Sequence, residues 1–139
     1  MPISWTPRLA VGVQQIDDEH KELFDRINTL LDAMANARAK EQVKPLVDFL
    51  SAYVESHFGG EARLMALHDY PGRADHLAQH AFFVAEFRAL VGEMEKGGVT
   101  ALLTIKLNKL LCDWLRDHVS TVDRKLGEFL ATAKPTLRA

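Results

Sequence analysis

Two pairs of side chains able to hold a metal ion flank a turn between residues 57 and 80: His57 with Glu61, and His76 with His80. Each pair is four residues apart, which on a helix of about 3.6 residues per turn returns to nearly the same azimuth, so each projects from one face of its own segment. Between them Asp69-Tyr70-Pro71-Gly72 is turn chemistry, with proline fixing one dihedral and glycine free to turn. The chain folds back there, and the two pairs can face each other. Further on, His118 and Asp123 are five apart, a separation of about 140° on an α-helix and too wide for one centre. A single π turn around Val119 to Val122 would bring them together, and such turns often mark functional sites. His20 completes a set of five histidines and two carboxylates.

Seven protein groups exceed the roughly four to six that one ordinary divalent ion takes, whereas two ions sharing carboxylates use them well. Imidazole suits iron, zinc and copper; calcium and magnesium prefer shells made only of oxygen. A carboxylate can span two metals, so Glu61 and Asp123 are the natural bridges and the histidines the terminal ligands. An odd number of histidines leaves one metal a ligand short, and a small molecule could enter at that vacancy.

The elements that must position these groups follow from the apolar spacing. Residues 1–15 hold two prolines and no sustained period and read as an arm whose Trp5, Leu9, Val11 and Val13 could lie across the body. Leu23, Ile27, Leu30, Leu31 and Met34 mark a helix over about 18–38, capped by Asp17 or Asp18. A second helix spans about 42–66 with Val47, Leu50, Val54, Phe58 and Met65 inward. The Gly59-Gly60 pair inside it breaks a local rule, since each glycine costs about 1 kcal/mol relative to alanine. A third helix covers about 73–96, from Leu77 to Met94, and a fourth about 100–131, through Leu103, Leu107, Leu110, Leu111, Trp114, Leu115, Leu126 and Phe129. Four amphipathic helices with short links predict an all-α, up-down-up-down antiparallel bundle, with residues 1–139 forming one domain.

Composition narrows the function. The chain has 139 residues, 47% hydrophobic content and a net charge of −2, with its 17 basic and 19 acidic residues interspersed. No polybasic footprint suggests nucleic acid or a membrane surface. The N-terminus lacks the features of a signal peptide, and no run reaches the roughly 20 apolar residues of a membrane span, so the cytoplasm is the expected compartment. The single Cys112 has no cysteine partner and is expected as a small buried hydrophobe.

With these residues in view, the chain resembles the bacterial hemerythrins, single-domain proteins that bind dioxygen at a non-haem di-iron centre. The resemblance rests on Ser4-Trp5, Val11-Gly12-Val13, Ile16 to Phe24, His57-Phe58, Glu61, Leu64-Met65, Tyr70-Pro71, His76, His80, Phe83, Trp114, His118 and Asp123. It implies that His76, His80 and His118 complete a six-coordinate iron and that His20 and His57 hold a five-coordinate one. Glu61 and Asp123 would bridge both, together with an oxo or hydroxo group. Dioxygen would bind at the iron of His20 and His57 and leave unchanged. Many relatives carry a second acid after the bridging glutamate, where this chain has Ala62; that departure and Gly59-Gly60 leave the rigidity of the second helix open.

The expected function is reversible dioxygen binding, for transport, storage or delivery to an oxygen-consuming enzyme. The alternatives are an oxygen or redox sensor acting on a separate partner, and a di-iron enzyme reducing peroxide or nitric oxide. Catalytic di-iron bundles often carry two Glu-x-x-His motifs; none occurs here, which favours a binding protein. Phe24, Phe58, Phe83, Leu111, Trp114 and Leu115 lie one residue or one turn from ligand positions. Core packing explains each alone; together they suggest a dry dioxygen pocket that slows permanent oxidation. His68 has no partner at ligand spacing and reads as an exposed loop residue, while Glu19, Glu22 and Glu86 read as solvated helix-face charges.

Overall fold

In a computed structural model that describes residues 3–36 and 40–138, four helices form an antiparallel ring and no strand occurs among the described residues. They are α1 (Gln14–Ala35), α2 (Lys40–Leu67), α3 (Arg73–Gly97) and α4 (101–138). Contacts run α1 to α2, α2 to α3, α3 to α4 and α4 back to α1, which is the up-down-up-down bundle. The polar stretch Ala39-Lys40-Glu41 reads in the sequence as the link between the first two helices; Ala39 lies outside the described residues, whereas Lys40 and Glu41 already belong to α2. No helix of the described residues is long and apolar enough to cross a membrane.

α1 begins four residues before its expected start, and neither aspartate caps it. Its N-cap is Val13, and Asp17 instead accepts hydrogen bonds from the backbone N–H of Val11 at 2.8 Å and of Gly12 at 3.3 Å. That fixes the corner between arm and helix, where Gly12 takes a φ of 89° that a side chain would strain. The arm lies across the bundle as its apolar residues suggested, with Ile3, Leu9 and Val11 buried. Asn28 clasps it by donating to the Ile3 carbonyl and accepting from the Ile3 N–H, both at 2.8 Å. At the other end, a Cβ on Gly127 would overlap the Val11 carbonyl oxygen, so the arm crosses α4 only because that position has no side chain.

α2 runs unbroken through Gly59 and Gly60, each half-buried, where an added Cβ would meet only the Arg63 guanidinium at 3.6 and 3.8 Å. Thr100 caps α4, its Oγ accepting from the Leu103 N–H at 3.1 Å. α4 is continuous but not uniform: π turns at Lys109–Trp114 and Val119–Asp123 interrupt the α pattern while the junction residues keep right-handed helical dihedrals. The second is the turn the His118–Asp123 spacing demands; the first had no polar pair to announce it. α4 also extends past 131 to Arg138.

The core is split in two. A large apolar cluster fills one end, including Leu23, Ile27, Leu30, Val54, Phe58, Phe83, Phe87, Leu103, Leu111, Cys112 and Val119. A smaller one of Val11, Ile16, Met65, Leu126 and Leu130 fills the other. On each helix the candidate ligands fall between the two: His20 between Ile16 and Leu23, His57 and Glu61 before Met65, His76 and His80 before Phe83, Asp123 before Leu126. Apolar layers above and below thus seal one polar layer across the bundle.

Candidate metal centre

The helix register brings all seven candidate ligands into that layer, each 5% exposed or less. They form two groups whose potential ligand atoms lie within 4.8 Å of one another: Glu61, His76, His80, His118 and Asp123 in one, and His20, His57, Glu61 and Asp123 in the other. Both carboxylates belong to both groups. The Oε1 of Glu61 stands 3.1 Å from the Nε2 of His76 and of His80, while its Oε2 stands 3.1 Å from the Nε2 of His57 and 3.7 Å from that of His20. Asp123 divides in the same sense, with Oδ1 3.0 Å from His76 and 3.1 Å from His118 and Oδ2 3.1 Å from His20. The two atoms of each carboxylate are therefore addressed to different groups, as a bridge between two ions requires.

Whether these donors suit a metal can be judged from the contacts themselves. At bond lengths of roughly 2.1 Å, adjacent ligands stand about 3.0 Å apart on an octahedral ion and about 3.4 Å on a tetrahedral one. Nearly all the separations here are 3.0–3.1 Å, matching the octahedral edge. Several are not hydrogen bonds despite that length. The Nε2 atoms of His80 and His118 and the Oδ1 of Asp123 are buried without a hydrogen-bond partner, although each is within 3.1 Å of an atom of opposite polarity. Atoms that crowd together without aligning as donor and acceptor are converging on a common point. Burying so many polar groups unpaired is costly, and two ions with nitrogen and oxygen shells relieve that cost.

Without metal, the layer holds itself together by charge. Burial would push the Glu61 carboxyl up, but the close imidazoles of His20, His57, His76 and His80 outweigh it and hold it well below the usual range. Asp123, opposed by burial and by the neighbouring Glu61 charge, is still held low by His118, His20 and His76. Burial alone would lower His57 and His76; hydrogen bonds to carboxylates reverse this and push them up to about 10 and about 9. His80 goes the other way, because its single carboxylate neighbour does not offset burial. The metal-free layer is thus a network in which protons occupy the places of cations.

Two partners outside the seven escaped the sequence reading. Glu19, expected as a solvated charge, turns its Oε1 to the Nδ1 of His57 at 2.7 Å, and that hydrogen bond lowers its own pKa. The amide oxygen of Gln79 accepts from the Nδ1 of His118 at 2.8 Å. Both leave Nε2 of the histidine facing the layer and fix the ring's orientation. Their only signal in the sequence is position: Glu19 precedes His20, and Gln79 precedes His80. Tyr53 steadies the first by donating to the Glu19 carbonyl at 3.1 Å. His68 is half-buried rather than exposed, and joins neither group.

Of the six expected pocket residues, Phe24, Phe58, Phe83, Leu111 and Leu115 are buried in the large apolar cluster. Phe58 stacks face to face on His80, with centroids 3.7 Å apart and planes at 1°, and meets Phe83 edge-on. Trp114 differs. It is half-buried, and its ring neighbours are Phe82, Phe83 and His118, on the side of the five-residue group.

Comparison with known proteins agrees with this geometry. The model of the Hemerythrin HHE cation binding domain matches residues 11–130. The chain is 32% identical over 130 residues to the bacteriohemerythrin of Methylococcus capsulatus, covering 93% of this chain and 97% of that one. It is 28% identical over 124 residues to the myohemerythrin of Riftia pachyptila, covering 89% and 90%. A crystal structure of wild-type hemerythrin superposes with a TM-score of 0.80 at 30% identity, over 92% of this chain and 97% of that one. Ligand register, bundle topology and sequence agree: the chain belongs to the hemerythrin family.

Proposed function

We propose that the chain binds dioxygen reversibly at two iron ions, for transport, storage or delivery. In this reading His76, His80 and His118 hold one ion, His20 and His57 hold the other, and Glu61 and Asp123 bridge them. The observation that carries it is the inequality of the two groups: the shared carboxylates join three imidazoles on one side and two on the other. The four-residue group, one imidazole short of the other, is the one where a small ligand would complete the shell. Two iron ions bound here would supply the two electrons that dioxygen takes up reversibly.

The protein's own part is to hold and to exclude. Glu61 and Asp123 set the spacing of the two groups, and Glu19 and Gln79 lock the rings of His57 and His118. The apolar clusters on both sides keep water and its protons from the layer, which would slow permanent oxidation of the centre. The shell of five imidazoles and two carboxylates, without a Glu-x-x-His motif, favours binding over oxidation of a substrate.

The test is to reduce the iron-loaded protein without air, admit air, and then remove oxygen. Visible absorption that appears and vanishes over repeated cycles is the expected result. Turnover of peroxide or nitric oxide, or immediate irreversible oxidation, would favour the enzyme reading.

A further inference from the structure

Trp114 faces outward from the polar layer. Its indole stacks on the His118 imidazole, centroids 4.9 Å apart and planes at 11°, and that imidazole is pinned on its far nitrogen by Gln79. Beyond the indole lies a surface groove of about 310 Å³ between α3 and α4, whose lining includes Phe82, Trp114, Leu110, Lys106, Lys109 and Glu86. Phe82 is 51% exposed and 6.0 Å from the Trp114 ring. Leu102 and Ile105, both more than half exposed, extend the apolar surface along α4. Phe82 belongs to neither apolar cluster, yet with Trp114 it forms an aromatic strip from solvent to a histidine of the layer. Dioxygen binding at the four-residue group makes no use of it.

We propose that this groove docks the isoalloxazine ring of free reduced flavin mononucleotide and that Trp114 conducts its electrons to His118 and the metal it would hold. The inference rests on the di-iron reading and extends it to the recovery of a centre oxidised by air. The flat ring stacks on exposed Phe82 and the half-buried edge of Trp114; Lys106 is already shared with Glu93 at 3.2 Å and Glu86 lines the same groove, which leaves Lys109 the leading contact for the phosphate. One dihydroflavin gives one electron to each of two ferric ions, releases two protons to solvent and departs as oxidised flavin. No bond to the protein forms or breaks.

The first measurement uses metal-free protein and oxidised flavin mononucleotide, followed by quenching of flavin fluorescence, with riboflavin as the phosphate-free probe. Saturable quenching is expected with both. Lys106→Glu with Lys109→Glu should weaken the mononucleotide about tenfold, one charge-assisted contact, and leave riboflavin unchanged. Phe82→Ala, which touches no histidine, should weaken both. The second uses iron-loaded, air-oxidised protein and photoreduced flavin mononucleotide, followed by loss of ferric absorption. Trp114→Leu should slow reduction about tenfold or more, whereas Trp114→Phe, which keeps a ring on His118, restores most of the rate. Absence of saturable quenching, or equal reduction rates in wild type and Trp114→Leu, would overturn the proposal. If circular dichroism shows Trp114→Leu misfolded, the lysine and Phe82 variants decide. Failure to load iron sinks the di-iron reading and the relay with it, while the flavin titration still decides the groove.

Discussion

Glu61→Gln changes one atom at the point where both groups meet. The carboxylate lies within 3.1 Å of three imidazole nitrogens, divided between its two oxygens. A glutamine keeps the shape, but it has one oxygen able to ligate and an amide nitrogen that is not. One group keeps a shared ligand; the other loses it and falls from five groups to four, or from four to three. The expected iron content drops from about two per chain to about one, with the retained ion bound more weakly by about 100-fold or ~2.7 kcal/mol. The metal-free protein suffers as well, because imidazoles held charged by Glu61 lose their counter-charge. Breaking a buried charged network of this kind costs about 3–5 kcal/mol, a large part of the roughly 5–15 kcal/mol that stabilises a domain. At about 4 °C per kcal/mol for this chain length, Tm should fall by roughly 12–20 °C. Elemental analysis after anaerobic reconstitution and thermal scans of the metal-free protein measure both. Two tightly held irons together with an unchanged Tm would refute the bridging role.

Glu19→Ala frees the His57 ring and should weaken the ion of the four-residue group by roughly 10–100-fold in a competition titration, with little effect on the other ion; equal loss at both would count against the assignment of Glu19. In the metal-free protein, His57 and His76 are pushed up to about 10 and about 9. Their stabilisation is therefore complete below the unfolded value of about 6.5 and is lost as pH rises through their folded values. Glu61 and Asp123 are held low, so theirs is present above about pH 4 and lost on acidification. Tm of the metal-free protein should accordingly decline from about pH 6 to pH 9, and iron, which displaces those protons, should flatten or reverse the slope. Gly127→Ala forces a methyl against the Val11 carbonyl and should cost about 1–3 kcal/mol, read as a lower denaturant midpoint at unchanged m. Leu111→Asn and Leu115→Asn place polar groups in the large apolar cluster and should hasten autoxidation in air; unchanged rates for both would remove their role in shielding the centre.

What the sequence made legible was whatever repeats at helical spacing. Leu23 to Met34, Val47 to Met65 and Leu103 to Leu115 announced three of the helices and their inner faces, and the four-residue pairs announced the layer between. The misfit of His118 and Asp123 was equally informative, because only a π turn reconciles five-residue spacing with a shared centre, and that turn is present. Contacts set by packing between distant segments were not legible. Glu19 and Gln79 are single polar residues on helices full of them, and only the crossing of α1 with α2 and of α3 with α4 turns them to His57 and His118. Gly127 gives no local sign that the arm crosses it. Asp17 matched a cap by type and position, but the arm's backbone offered it closer donors.

The claim on which everything else turns is that Glu61 and Asp123 each bind two metal ions at once. Crystals of iron-loaded protein measured on either side of the iron absorption edge test it directly. Two anomalous peaks should appear, each within bonding distance of one oxygen of Glu61 and one of Asp123, the first beside His76, His80 and His118 and the second beside His20 and His57. A single peak, or two peaks that do not share both carboxylates, would contradict it.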